Sequence, residues 1–169
     1  MELYVVRHGI AEFSSLDKPD EDRALTPKGR KRTREVARGL RAIGCRPKLI
    51  ATSPLVRAEQ TARILADVLK PKAGMDVLDF LAPGAAARDV ARWLRGCEEE
   101  SAMIVGHAPD VSRIAGGLLT RGRIDIPFKK AAVCGVAFED SPTLAAGSLL
   151  WMLPPNLLRA LGAGKGGAP

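Results

Sequence analysis

The chain has 169 residues, 46% of them hydrophobic and 27% charged, an ordinary balance for one soluble domain with a buried core. Its apolar runs are too short to span a bilayer and no signal-peptide pattern precedes the first strand, so a cytoplasmic protein with no membrane partner is expected. A formal net charge of +7 favours anionic partners, while an aromatic content of 4% disfavours a nucleic-acid binder that stacks bases.

Cys45, Cys97 and Cys134 are widely separated and make no Cys-x-x-Cys pair. Together with only two histidines they offer neither a disulfide framework nor zinc-ligand spacing, so no metal and no cofactor is expected. Buried or half-buried free thiols are the expectation instead.

Leu3-Tyr4-Val5-Val6 suits a short buried strand, and the run stops at Arg7-His8-Gly9. The glycine lets the chain leave the sheet, which sets a guanidinium and an imidazole at the strand's carboxyl end. In open α/β sheets ligands bind at that edge. Residues 10–25 form a long loop with the acidic run Asp17-Lys18-Pro19-Asp20-Glu21-Asp22 ahead of Arg23. A loop of this length in a compact domain is often functional. Thr26-Pro27 opens a helix with Val36, Ala37, Leu40 and Ile43 inward, and Gly44 ends it. Arg30, Arg34, Arg38 and Arg41 form a basic stripe, either a solvated face or a dock for an acidic macromolecule.

Residues 48–52 read as a second strand, and Ser53-Pro54 as the start of a helix with Leu55, Ala58, Ala62, Leu65 and Leu69 inward. Arg57 falls in its first turn, where a cation opposes the helix dipole unless an anion lies in front of it. A third strand over 75–78, a turn at Pro83-Gly84 and a helix over 87–95 follow. Residues 102–106 form a fourth strand ending at His107, a near copy of the first strand's end, and a helix runs from Pro109 or Asp110 to Leu119. Two more strands are expected side by side over 131–138 and 148–152, then a helix over 156–161 after Pro154-Pro155. The domain is expected over 1–161, with 162–169 a flexible tail. The alternation implies a three-layer α/β fold, a mostly parallel central sheet with helices on both faces.

Such a sheet brings the ends of the first, second and fourth strands to one edge, and with them Arg7, His8, Ser53, Arg57 and His107. Arg23, at the exit of the loop, can reach the same place. Three guanidiniums and two imidazoles make a pocket for a phosphoryl dianion. One neutral imidazole can attack phosphorus and carry the group as phosphohistidine. The other, protonated by the dianion's proximity, can donate to an equatorial oxygen. Spacing leaves open which histidine attacks.

These residues stand in a pattern that resembles a known family. Arg7-His8-Gly9, Leu25-Thr26-Pro27-Lys28-Gly29, Thr52-Ser53-Pro54-Leu55-Val56-Arg57-Ala58-Glu59-Gln60-Thr61-Ala62 and Val105-Gly106-His107 are similar, in this order, to the blocks of the histidine phosphatase (phosphoglycerate mutase-like) superfamily. The short length, Asp22-Arg23-Ala24-Leu25-Thr26 and Leu153-Pro154-Pro155-Asn156-Leu157 resemble its compact phosphohistidine phosphatase branch, SixA. The resemblance implies that family's fold, a metal-independent phosphatase, His8 as nucleophile and phosphate-binding roles for Arg7, Arg57 and His107. It adds Arg23 to the phosphate pocket, with Ser53 and Gly9 beside it as substrate-binding positions. The implied partner is a phosphohistidine-bearing protein, a phosphotransfer domain or a phosphocarrier.

Many members of that family carry an acidic proton donor after the third strand. Here Val77-Leu78-Asp79-Phe80-Leu81-Ala82-Pro83 offers Asp79 as the nearest candidate, with Glu12 and Asp17 as weaker ones. An alkoxide leaving a phosphate ester needs a proton from a general acid, whereas imidazole is a far better leaving group. A pocket without a strong acid therefore suits a P–N bond. Two other readings are a small-molecule phosphomonoesterase using the same site and a non-catalytic module that binds phosphorylated proteins.

Overall fold

The computed structural model describes residues 1–14, 19–120, 124 and 126–164. Six strands, β1 (Glu2–Arg7), β2 (Leu49–Thr52), β3 (Gly74–Val77), β4 (Ser101–Gly106), β5 (Val133–Ala137) and β6 (Ser148–Leu153), form one sheet in the order β3-β2-β4-β1-β5-β6. The first four in that order run parallel, and β5 pairs antiparallel with both β1 and β6. Helices α1 (Pro27–Ala42), α2 (Val56–Leu69) and α5 (Pro155–Ala163) cover one face, and α3 (Ala87–Arg95) and α4 (Asp110–Thr120) the other. This is the three-layer α/β fold that the strand-helix alternation predicts.

Both faces are sealed by the two-residue period of the strands. Along β1, Leu3 and Val5 join the core under α3 and α4, while Tyr4 and Val6 join the core under α1, α2 and α5. A one-residue slip of β1 would exchange the two sets, so the register is fixed from both sides. Leu40 of α1 is fully buried, and its burial contributes about 2–3 kcal/mol of transfer free energy. Next to it α1 and α5 meet at backbone distance because Gly39 has no side chain: a methyl group there would collide with the Leu158 carbonyl.

Local chemistry sets the helix ends. Thr26 Oγ1 accepts from the Gly29 amide at 2.9 Å and caps α1, with Pro27 as the first helical residue. The helix stops at Ala42, so Ile43 falls past its end and is 39% exposed instead of inward. Gly44 follows at φ +81°, a conformation that a side chain would strain. The second helix starts at Val56, later than Ser53-Pro54 suggests, because the Ser53 side chain is turned toward His107 and does not cap the helix. Helix α5 runs through Ala163, two residues into the expected tail. Gly162 lies directly on the Gly39 turn of α1, so the chain is still packed there. Residues 165–169 of that tail lie outside the described residues.

The site follows from the topology. β1 leads to α1 on one face, and β4, its immediate neighbour, leads to α4 on the other. Adjacent parallel strands whose connections depart to opposite faces open a crevice at their carboxyl ends. Arg7 is in register with Gly106, so the next residues, His8 and His107, emerge side by side into that crevice. Among the described residues no helix is long and apolar enough to cross a membrane.

Candidate active site

The two imidazole centroids lie 5.2 Å apart, and both residues are at least nine-tenths buried. They line an open cleft of about 570 Å³ together with Arg7, Asp20, Arg23 and Arg57. Among the predicted residues, Arg7, His8, Arg23, Arg57 and His107 thus converge.

His8 Nδ1 lies 2.8 Å from the carbonyl oxygen of Gly9, which can only accept, so Nδ1 carries the proton. Nε2 therefore holds the lone pair. Burial is the main cause that pushes the His8 pKa down to about 3; the Gly9 hydrogen bond opposes it, and the charges of His107, Arg57 and Arg7 add to it. At neutral pH His8 is an uncharged imidazole with a fixed tautomer. That is the state a nucleophile needs.

His107 is oriented differently. Its Nε2 shares a hydrogen bond of 2.8 Å with Ser53 Oγ, which is fully buried and also accepts from the Leu55 amide at 3.3 Å. Burial lowers its pKa to about 4, helped by Arg57 and Arg7 and opposed by Asp110 and Asp20. Ser53 does not line the cleft; it positions His107, a correction to its expected place at the substrate.

Gly9 also differs from its expected substrate-binding role. Its amide donates to Thr61 Oγ1 at 3.0 Å, and Thr61 in turn donates to the Arg57 carbonyl at 2.7 Å. That leaves no free amide for a ligand. What Gly9 supplies is close approach, since a methyl group there would collide with Thr33 Oγ1. The backbone turn that holds His8 is thereby pinned to α2.

The guanidiniums are anchored at one end. Arg7 Nη1 donates to the Phe128 carbonyl at 2.7 Å, and desolvation lowers its pKa. Arg57, in the first turn of α2 and 5% exposed, donates through Nη1 to the Asp20 carbonyl at 2.6 Å and through Nη2 to the Asp20 carboxylate at 2.8 Å. Arg23 Nη1 donates to the same carboxylate at 2.7 Å. Among the described residues, Arg7 Nε, Arg23 Nε, Arg57 Nε and His107 Nδ1 are buried without a hydrogen-bond partner. Buried unpaired polar atoms are rare in folded proteins, and these four belong to residues that line one cleft, a donor-rich arrangement that could take an acceptor-rich anion.

The proton-donor candidates stand elsewhere. Asp79 is exposed in the short 3₁₀ helix Asp79–Leu81 and is not among the residues lining the cleft. The Glu12 carboxylate accepts from the Ala24 amide at 3.2 Å and ties the base of the long loop. Asp17 lies outside the described residues. Among the described residues no group of three or more His, Cys, Asp or Glu side chains could hold a metal ion.

Sequence reasoning assigned no role to Asp20 or Asp110. Asp110, buried at the start of α4, accepts from the Gly84 amide at 2.8 Å and so ties the loop after β3 to the end of β4. Its signal was its place three residues after His107, at a helix start. Asp20 was hidden inside a run of acids.

The family model of the histidine phosphatase superfamily (branch 1) matches residues 3–81. An uncharacterized protein of Picosynechococcus sp. is 36% identical over 167 residues, covering 91% of this chain and 100% of the relative. Phosphohistidine phosphatase SixA of Escherichia coli is 27% identical over 162 residues, covering 94% of this chain and 97% of the relative. The structure of the protein histidine phosphatase SixA complexed with tungstate matches with a TM-score of 0.82 at 27% identity, covering 94% of this chain and 99% of that one.

Proposed function

Because this chain belongs to the histidine phosphatase superfamily and is similar to its SixA branch, we propose that it hydrolyses protein-bound phosphohistidine through a phospho-His8 intermediate. The observation that carries the reading is the bond from His8 Nδ1 to the Gly9 carbonyl, which leaves Nε2 unprotonated among cations. In the first step Nε2 forms a bond to phosphorus as the substrate's P–N bond breaks, its electron pair returning to the substrate ring. When that ring carries a proton on its other nitrogen it departs as neutral imidazole. His8, with its own proton on Nδ1, takes up the same phosphorylated, protonated state. No proton has to move. Water then bonds to phosphorus, the bond to Nε2 breaks, and both water protons leave with the phosphate. Throughout, Arg7, Arg23, Arg57 and a His107 protonated by the bound dianion stabilise the equatorial oxygens.

A phosphate ester would need a general acid, and among the described residues no lining carboxylate is free to be one. The two lining carboxylates are both engaged as acceptors, Asp110 by the Gly84 amide and Asp20 by two arginines. A protein substrate is further supported by the surroundings. Lys130 lines the cleft and also a neighbouring cavity of about 180 Å³ that carries Arg32, Lys129 and Arg159. Arg30, Arg34, Arg38 and Arg41 are all exposed on α1. An acidic face around the phosphorylated histidine of a partner would find complementary charge there.

The test is incubation with several proteins carrying labelled phosphohistidine. Release of phosphate, an acid-labile label on the wild type and none on His8→Ala are expected, with a higher kcat/KM than for any aryl or alkyl phosphate. Faster turnover of small esters would establish the phosphomonoesterase instead. Binding of the phosphoprotein with neither release nor label would leave a non-catalytic binding module.

A further inference from the structure

Asp20 holds more of the cleft's cationic groups than any other described residue. It opens the 3₁₀ helix Asp20–Asp22, ahead of Arg23 at the exit of the long loop. One carboxylate oxygen accepts from Arg57 Nη2 at 2.8 Å, the other from Arg23 Nη1 at 2.7 Å, and the main-chain oxygen accepts from Arg57 Nη1 at 2.6 Å. Burial alone would raise the Asp20 pKa, but the Arg57 hydrogen bond and the charges of Arg57 and Arg23 hold it below the ordinary carboxylate value. The carboxylate is thus a permanent anion on two of the three guanidiniums assigned to the phosphoryl group.

We propose that the Asp20 carboxylate is an internal anion that competes with the phosphoryl group for Arg23 and Arg57, and so limits how tightly the site retains free phosphate. The proposal rests on the cleft being a phosphoryl site and not on phosphohistidine being the substrate. A dianion with three equatorial oxygens offers more charge and more acceptors than one carboxylate, so it wins the arginines, but against an occupied pair instead of a free one. Phosphate is product as well as part of the substrate. Weakening the hold on it equally in the ground state and the transition state costs nothing in the chemical step once substrate is abundant, and it speeds release. The two functions of the residue are separable. Its main-chain oxygen keeps Arg57 aimed whatever the side chain is, and only the carboxylate has to turn away. Because the Asp20 side chain is 56% exposed, that rotation is into solvent.

The experiment is a titration of wild type, Asp20→Ala, Asp20→Asn and Asp22→Asn with inorganic phosphate, followed by phosphorus-31 NMR, after circular dichroism has confirmed that each variant is folded. Removing a charge-assisted competitor should tighten phosphate binding about tenfold in Asp20→Ala, with Asp20→Asn between it and wild type. Asp22→Asn, a neighbouring change of the same charge, should leave it unmoved. Unchanged or weaker binding in Asp20→Ala overturns the proposal, weaker binding meaning that the carboxylate orients the arginines. Equal tightening in Asp22→Asn also overturns it, as an effect of bulk charge. Phosphate binding to none of the four proteins would remove the phosphoryl site itself, and the proposal with it.

Discussion

The ends of β1 and β4 are near copies in sequence, each an apolar run closing on a histidine beside a glycine, yet the two imidazoles are held in opposite ways. At the end of β1, Nδ1 is spent on the adjacent Gly9 carbonyl and Nε2 is left with its lone pair. At the end of β4, Nε2 is spent on Ser53 and Nδ1 is the buried, unpartnered atom. The difference comes from what lies beside each strand end. His8 turns on a glycine pinned by Thr61 of α2, whereas His107 meets a hydroxyl presented at the end of β2. In the proposed mechanism, the ring nitrogen that is bonded, and not the position at the strand end, separates nucleophile from stabiliser.

The largest expected effect breaks this comparison directly. His8→Ala should lose about 10⁴-fold or more in turnover and take no label. His107→Ala should lose about 10²–10³-fold, the scale of removing one transition-state donor, and should still become labelled on His8. Mass spectrometry of the trapped protein checks both. A label retained in His8→Ala and lost in His107→Ala would reverse the roles.

A smaller effect sharpens it. Ser53 is fully buried, and in the proposed mechanism it acts through its hydrogen bond to His107. Ser53→Ala should lower kcat about tenfold with little change in KM, the scale of one lost positioning hydrogen bond. In nitrogen-15 spectra the His107 ring should pass from one tautomer to a mixture, while His8 is undisturbed. A fall in thermal stability with an unchanged His107 spectrum would reduce Ser53 to a packing residue.

The same contrast separates what was legible in the sequence from what was not. The histidines and Arg7 could be read because strand endings are written in the chain, as a run of Leu, Tyr and Val that stops. Arg57 could be read because a buried cation at a helix start runs against the dipole. The resemblance to a known family added the assignment of the attacking histidine, which spacing alone left open. Gly9 and Ser53 were placed correctly at the edge but given the wrong neighbours, since Thr61 and His107 are brought to them only by the register of the sheet. Asp20 was invisible for a different reason. A run of acids has no period, and nothing local says which carboxylate folds back over the arginines. Ile43 failed through a boundary: the helical spacing includes it, but the helix stops one residue earlier.

The last expected effect is on stability, and it treats the two histidines as alike. Both are held neutral in the folded chain, with pKa values pushed from 6.5 to about 3 and about 4. Between those values and 6.5 the unfolded chain binds protons that the folded chain refuses, so stability rises with pH across the window and is lost as pH falls through it. Each histidine contributes a slope of about 1.4 kcal/mol per pH unit there. Asp20 and Glu35 are lowered carboxylates, so what they contribute is lost only as pH falls below about their ordinary values of 3.8 and 4.5. Urea unfolding between pH 5 and 6 therefore isolates the histidines. His8→Ala should halve the slope, and the double variant with His107→Ala should remove it. A slope that survives both substitutions would mean that neither ring is buried as a neutral base, and the case for His8 as a ready nucleophile would fall with it.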